Sequence, residues 1–360
     1  MNTDRSPHPA EWRETEGLLP PAERDLPVGR HEFHKERLMA QIHDESRTTT
    51  APAAAPARPQ ERRAWFRRPV IVMPLAAFAL AGVIVTGTVV AGQDGTDGAD
   101  SVATGPVLTT DIGNASSTGT GALLDRISLA AAQSPTPEPG AGQFVYVEST
   151  SADTYVRTVD DKHTVVSEKP HRRQVWQSPD GNKGWLIEQG NGPKGGETLD
   201  SAEGSSSSWD VLSKLPTDPD ALLKKVYAES EGQGNSPDQA AFSAIGDLLG
   251  ESYPPSGLEA ALYKAAAKIP GVVKVDSAVD AAGREGIAVA RLDKVSGERE
   301  EWIFEKKTLA YLGERIVQVT DGANPEPEDL LIKPGTVTYT SAVTARAVVD
   351  GIKQTPTQAG

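Results

Sequence analysis

The sequence predicts an α+β protein: one transmembrane helix, then an extracytoplasmic domain in which an antiparallel curved β-sheet packs with about three to four helices. Three observations predict it. Residues 69–92, PVIVMPLAAFALAGVIVTGTVVAG, hold no charged side chain over 24 positions. Downstream, short β-branched and aromatic runs are punctuated by Gly/Pro turns, the pattern of a meandering sheet. Between two groups of such runs lie three segments with helix-start signals and apolar residues at helical spacing.

A helix over residues 69–92 rises about 36 Å, enough to cross a hydrocarbon core of about 30 Å with some tilt. Pro74 falls in its first turns, where proline is best tolerated. Arg58, Arg62, Arg63, Arg67 and Arg68 precede it, and Asp94, Asp97 and Asp100 follow. The positive-inside rule then places the N-terminus in the cytoplasm and the C-terminus outside. The segment begins too far into the chain and runs too long for a secretory h-region.

Charge divides along the same line. Residues 1–68 carry 12 Lys/Arg and 11 Asp/Glu, and residues 93–360 carry the other 24 and 39. An outer portion that acidic repels phosphate, so nucleic acid is excluded as its partner. The chain has no cysteine, which removes disulfides, thiolate metal sites and a cysteine nucleophile.

Residues 1–68 form a cytoplasmic stub broken by prolines, with one amphipathic helix expected over 29–46. Phe33, Leu38, Met39 and Ile42 share a face of it and are the candidate partner-binding residues. So short an isolated helix is marginal in water and gains by docking on a protein or on the inner leaflet. His31 and His34 also share a side, but no third ligand converges on them. Residues 48–60 are a Pro/Ala linker.

Residues 93–121 read as a flexible Gly/Ser/Thr/Asp spacer. The folded domain is expected over 122–350, with 351–360 a tail. A helix over 122–133 ends at Pro135. Strands are expected at 143–150, 154–162, 172–178 and 184–188, with a turn at Pro179-Asp180-Gly181-Asn182. Residues 189–208 read as a polar loop. Thr217-Asp218-Pro219 starts a helix to about Ser230, Ser236-Pro237-Asp238-Gln239 another to about Leu249, and the capping box Ser256-Gly257-Leu258-Glu259 a third to about Lys268. Strands follow at 271–275, 286–292, 300–305, 310–319 and 336–344, with turns at 280–283, 296–297 and 306–308. Trp302 and Phe304 share a strand face.

Two resemblances follow from longer stretches. The stub run LLPPAERDLPVGRHEFHKERLM (18–39), LPTDPDALLKKVY (215–227) and the run from Leu262 to Leu312 together resemble a family of actinobacterial membrane-anchored proteins often encoded beside extracytoplasmic-function sigma factors. That likeness implies a cytoplasmic sigma-factor partner and transfers no catalytic residue. The hairpin around Glu305–Leu309, followed by Gly313-Glu314-Arg315, is similar to LolA/RseB-type half-barrels, although Lys306-Lys307-Thr308 stands where those have Asp-Pro-x-Thr. It implies a curved sheet that binds lipid or regulates an anti-sigma factor.

Three functional classes stay in view. A regulator would sense an extracytoplasmic ligand and act through the stub. A binding module would hold a lipid, glycan or protein on aromatics such as Trp176, Trp185, Trp209, Tyr146 and Tyr155, residues that equally suit a core. An enzyme is not expected: the chain lacks Gly-x-Ser-x-Gly, Ser-x-x-Lys, His-Glu-x-x-His and a P-loop. Only His163 and His171 could serve a serine triad outside the membrane. Asp160-Asp161 and Glu326/Glu328/Asp329 read as solvated carboxylates. No cofactor or metal is expected, and the partners are the lipid bilayer, a sigma factor and an extracytoplasmic ligand.

Overall fold

The computed structural model describes residues 102–159, 162–201, 205–325, 327 and 329–356. The stub, residues 69–92 and the first part of the spacer lie outside them. Among the described residues no helix is long and apolar enough to cross a membrane.

The elements in chain order are β1 (Thr104–Gly105), β2 (Ala115–Ser116), α1 (Thr120–Gln133), β3 (Phe144–Val159), β4 (Lys162–Glu168), β5 (His171–Gln177), β6 (Gly184–Glu188) and β7 (Glu197–Thr198). Four helices follow: α2 (Trp209–Leu212), α3 (Pro219–Glu229), α4 (Pro237–Glu251) and α5 (Ser256–Ala266). The chain closes with β8 (Val272–Val279), β9 (Glu285–Leu292), β10 (Glu298–Phe304), β11 (Tyr311–Gln318) and β12 (Val337–Val349), with a 3-10 turn at Asp329–Leu331. This is an α+β domain on one antiparallel sheet of order β2-β8-β9-β10-β11-β12-β3-β5-β6-β7, with β4 pairing β1 and β3.

Two expected strands are one. The Ser151-Ala152-Asp153 stretch does not break the run, because β12 pairs straight through it, with Ser341 opposite Ser151 and Tyr339 opposite Asp153. The resulting β3 has 16 residues, about 50 Å at strand rise. Its return partner is broken instead. Between the Thr154–Ser167 and Ser151–His171 pairs, three steps along β3 face four along the partner. The extra residue falls at Lys169-Pro170, where proline has no N–H for the ladder. β12 likewise runs five residues beyond Thr344, held by β3 from Tyr339 to Val349.

The helices start where capping chemistry puts them in two cases of three. The Asp218 carboxylate accepts from the Ala221 N–H ahead of Pro219, and the Ser236 hydroxyl accepts from the Gln239 N–H. The expected box at Ser256…Glu259 does not form. Pro255 is the cap residue there, with no side-chain bond, and Glu259 turns inward to accept from the Tyr263 hydroxyl at 3.0 Å.

The helices cover one face of the sheet. On β10, Trp302 and Phe304 point into the helical core with Phe242, Ile245, Leu262 and Ala265, as alternation predicts. Phe242 stacks on Trp302 at 3.9 Å between centroids and 4° between planes. Such a pair contributes about 0.5–1.5 kcal/mol beyond its burial. Gly246 permits this closeness, since a Cβ there would lie 2.5 Å from Trp302 Nε1. On the far face, Ile303 joins Val275, Ala278, Ala288, Ala290 and Leu312 in a separate apolar cluster.

Candidate functional site

Residues 102–119, which composition assigns to the spacer, form a strap bonded to the domain. β1 pairs with β4, Thr104 opposite Glu168 and Gly105 opposite Ser167, and the Lys169 N–H donates to the Ala103 carbonyl at 2.7 Å. The Leu108 N–H donates to Ser167 Oγ at 2.8 Å, the Val337 N–H to the Leu108 carbonyl at 2.9 Å, and the Thr110 N–H to the Gly335 carbonyl at 2.8 Å. β2 then pairs with β8. The strap thus reaches from the β4 edge to the opposite edge strand. Its Gly, Thr and Asp content hides this, because backbone and hydroxyl bonds hold it rather than an apolar face.

Beneath its middle lies a buried charge triad on the face away from the helices. The Glu301 carboxylate is fully buried. Arg299 Nε donates to its Oε1 at 2.7 Å and Arg315 Nε to its Oε2 at 2.9 Å. Each guanidinium also holds the strap: Arg299 Nη1 donates to the Gly113 carbonyl at 3.1 Å, and Arg315 Nη1 to Thr110 Oγ1 at 3.0 Å. Two charge-assisted bonds therefore tie the strap to a rigid strand pair.

The strap's first residues meet a second charged corner. His171, 7% exposed, opens β5 just after the Pro170 break. Its Nε2 lies 3.2 Å from Glu188 Oε1, and its Nδ1 lies 3.3 Å from the Lys169 carbonyl and 3.9 Å from Glu168 Oε2. Burial alone would lower the His171 pKa, but the Glu188 bond and the charges of Glu188 and Glu168 outweigh it and raise the value. Burial works against the Glu188 carboxylate, yet His171, the Arg173 charge and Asn191 hold it below its ordinary value. Both ring nitrogens of His171 face oxygen atoms, so neither is presented to a serine hydroxyl as a base. His163 is exposed at the end of the β3–β4 hairpin, its Nδ1 2.8 Å from Thr158 Oγ1.

Two further polar groupings belong to the sheet. Tyr146 donates to Glu148 at 2.6 Å, and Glu148 also pairs with Arg172. Burial and the Glu148 bond push the Tyr146 hydroxyl up to about 12. Under the helices, Arg346 Nη2 reaches the Leu249 carbonyl and its guanidinium lies 5.8 Å from the Tyr311 ring centroid. Burial pushes the nearby Glu259 carboxyl up. Among the described residues no group of three His, Cys, Asp or Glu side chains is arranged to hold a metal ion. A shallow cleft of about 240 Å³ lies between α1 and β8–β9, flanked by Arg126 and Lys274.

The candidate partner-binding residues Phe33, Leu38, Met39 and Ile42, and the topology arginines Arg62, Arg63, Arg67 and Arg68, all lie outside the described residues, as do Asp160, Asp161, Glu326 and Glu328. Of the five aromatics named as ligand candidates, Tyr146, Trp176 and Trp209 are buried core, and Tyr155 and Trp185 are half-buried. The expected tail caps two of them: Trp176 Nε1 donates to the Gln354 carbonyl at 2.6 Å, and Lys353 Nζ sits 3.9 Å from the Trp185 ring centroid. Sequence reasoning did not single out Arg299, Glu301, Glu168 or Glu188, and met Arg315 only within the hairpin likeness. One local signal was available, the Glu168-Lys169-Pro170-His171 break between two strands.

No family model matches the chain, and no curated protein matches it. Among solved structures, the Pseudomonas aeruginosa MucA/MucB complex matches at 13% identity over 67% of this chain and 59% of that one, with a TM-score of 0.21. A DUF1329 family protein from Desulfovibrio piger matches at 10% identity over 66% of this chain and 94% of its own, with a TM-score of 0.17. The chain thus spans 59% of the length of the MucA/MucB chain it matches. Neither likeness carries an argument about function, which rests on the strap and its anchors.

Proposed function

We propose that this chain is a single-pass membrane-anchored regulator: an extracytoplasmic α+β domain senses an envelope signal, and the cytoplasmic stub passes it to a sigma factor. The strap carries the reading. Nine residues separate Gly92, the end of the apolar segment, from Val102, where the described chain begins. At about 3.3–3.6 Å per extended residue, that connection reaches at most roughly 35 Å. The segment arriving from the bilayer side is therefore hydrogen-bonded to the sheet almost at once, and a change in the sheet's hold on it bears on the anchor directly. A free spacer would decouple the two.

The alternative, a binding module without signalling, would be favoured by an apolar chamber between sheet and helices. That interface is filled instead by the Phe242–Trp302 stack and by Phe304 against Tyr263 at 5.5 Å and Tyr311 at 5.8 Å between centroids. The regulatory reading assigns no catalytic step and no cofactor to the chain.

Co-purification of the full chain with the sigma factor encoded beside its gene tests the proposal. Specific capture that Leu38→Asp with Ile42→Asp abolishes supports it, with that strip as the contact. Absence of capture, with intact sigma factor present, removes the cytoplasmic half and leaves a binding module.

A further inference from the structure

We propose that the aromatic stripe of Tyr146, Trp176 and Trp185 is a recognition site for a lysine-bearing peptide of a partner protein, and that the chain's own residues 351–356 occupy it as a displaceable plug. The ladder places the stripe. Tyr146 of β3 stands opposite Trp176 of β5, and Trp176 stands opposite Trp185 of β6. Residues directly opposite one another share a face, so the three rings form one row across neighbouring strands. That face is the one away from the helices. Arg346, opposite Val147 and so one step out of alternation with Tyr146, points the other way and reaches the Leu249 carbonyl of α4. What lies on the stripe is the C-terminal segment.

That segment is held as a ligand is held, not as a strand. β12 ends at Val349. Among the described residues, one hydrogen bond joins 351–356 to the sheet: Trp176 Nε1 donates to the Gln354 carbonyl at 2.6 Å. The Gln354 N–H turns back to the Gly351 carbonyl. Ile352 packs, partly buried, against the aromatic cluster. Lys353 sets its Nζ 3.9 Å from the Trp185 ring centroid, where the ring's negative face attracts an ammonium. Lys353 also takes a left-handed φ of 67°, a conformation that disfavours any residue with a side chain. A peptide that reaches the same two tryptophans without that kink competes on better terms.

The same contacts state the chemistry of the ligand. Trp185 offers a ring face to an alkylammonium, and Trp176 offers an N–H to the peptide carbonyl of the next residue. Glu148, which accepts from the Tyr146 hydroxyl at 2.6 Å, adds a carboxylate on that face. Residues 93–360 carry 24 Lys/Arg against 39 Asp/Glu, so the field of the domain draws cations and repels anions. A tethered occupant meets its site at an effective concentration of about millimolar, so an outside peptide binds weakly until the tail is gone.

The site needs only the described domain, so it stands or falls apart from sigma-factor capture. The probe is a fluorescently labelled synthetic peptide of residues 349–360, titrated by anisotropy into the full chain in detergent and into the same chain lacking 351–360. The shortened chain should bind it saturably, and the intact chain at least tenfold more weakly. The peptide with Lys353→Gln should bind the shortened chain several-fold more weakly, and an unlabelled Ala-Ile-Lys-Ala peptide should displace the label. No saturable binding, equal binding by the two chains, indifference to Lys353→Gln or failure of that displacement overturns the proposal. So does tail exchange between copies, read by light scattering as a dimer of the intact chain. One measurement needs no variant to fold. In the intact chain the Trp176 indole N–H, followed by NMR, should exchange at least tenfold faster than that of Trp302, which is bonded to Glu300 beneath the helices. Equal protection would make the segment part of the core and overturn the plug.

Discussion

Replacing Glu301 by glutamine should be one of the most damaging isosteric changes available in this domain. The substitution keeps shape and removes one negative charge from between two buried guanidiniums. Arg299 and Arg315 are 4% and 2% exposed, so both guanidiniums stay buried with their common partner gone. Breaking a buried ion pair from one side costs about 3–5 kcal/mol. The bonds to the Gly113 carbonyl and Thr110 Oγ1 survive, so the strap keeps its register and the protein still folds. For a domain of this size each kcal/mol lowers the melting temperature by about 2–4 °C, so the expected drop is about 6–20 °C. Chemical denaturation followed by tryptophan fluorescence should show the same loss in the midpoint at unchanged slope. The companion variant replaces all three residues with apolar side chains, Arg299→Met, Glu301→Leu and Arg315→Met. It should recover most of the loss, because no charge is left stranded. A loss below about 1 kcal/mol for Glu301→Gln would refute the reasoning, since the guanidiniums would then be hydrated. A triple variant as unstable as the single one would refute it too.

Gly246→Ala should cost about 1–3 kcal/mol, because its methyl must displace the Trp302 indole that stacks on Phe242; an unchanged denaturation midpoint would show that α4 shifts freely. Deleting residues 351–360 removes the cap on Trp176 and Trp185, so tryptophan emission should move to the red with a loss of about 1–2 kcal/mol. Glu188 and Glu148 both have folded pKa values below their reference of 4.5, Glu148 through Arg172 and Tyr146 acting against burial. Their contribution is present above that reference and is lost as pH falls through the folded values. The stability gap between wild type and Glu188→Gln, measured by urea titration at stepped pH, should therefore shrink below about pH 4.5.

β10 and β11 are joined by the Glu305–Ala310 turn, where the sequence carries no Asp-Pro pair. Without the Asp-Pro pair, the bend is made by Glu305, whose carboxylate accepts the Lys307 N–H at 2.8 Å and also that of Thr308. Leu309 takes a left-handed φ of 60° to complete it. A non-glycine residue there is uncommon, and the neighbouring ladder between β10 and β11 holds it.

What the chain alone determined is what a few adjacent residues encode. Asp218-Pro219 and Ser236-Pro237 start helices because the cap and its target N–H lie three residues apart. Gly181 and Gly283 turn the chain because each sits at positive φ beside an aspartate that accepts the local N–H groups. Alternation on β10 separates Trp302 and Phe304 from Ile303. Tertiary structure decided the rest. Ser256 and Glu259 match a capping box, yet Glu259 faces the core, where Tyr263 and the charge of Arg346 reach it. Ser151-Ala152-Asp153 stays in a strand because β12 pairs across it. The strap was invisible for the plainest reason. Its anchors join residues 59, 186 and 205 positions apart, and a polar Gly/Thr segment acquires structure only when a finished sheet offers it donors and acceptors.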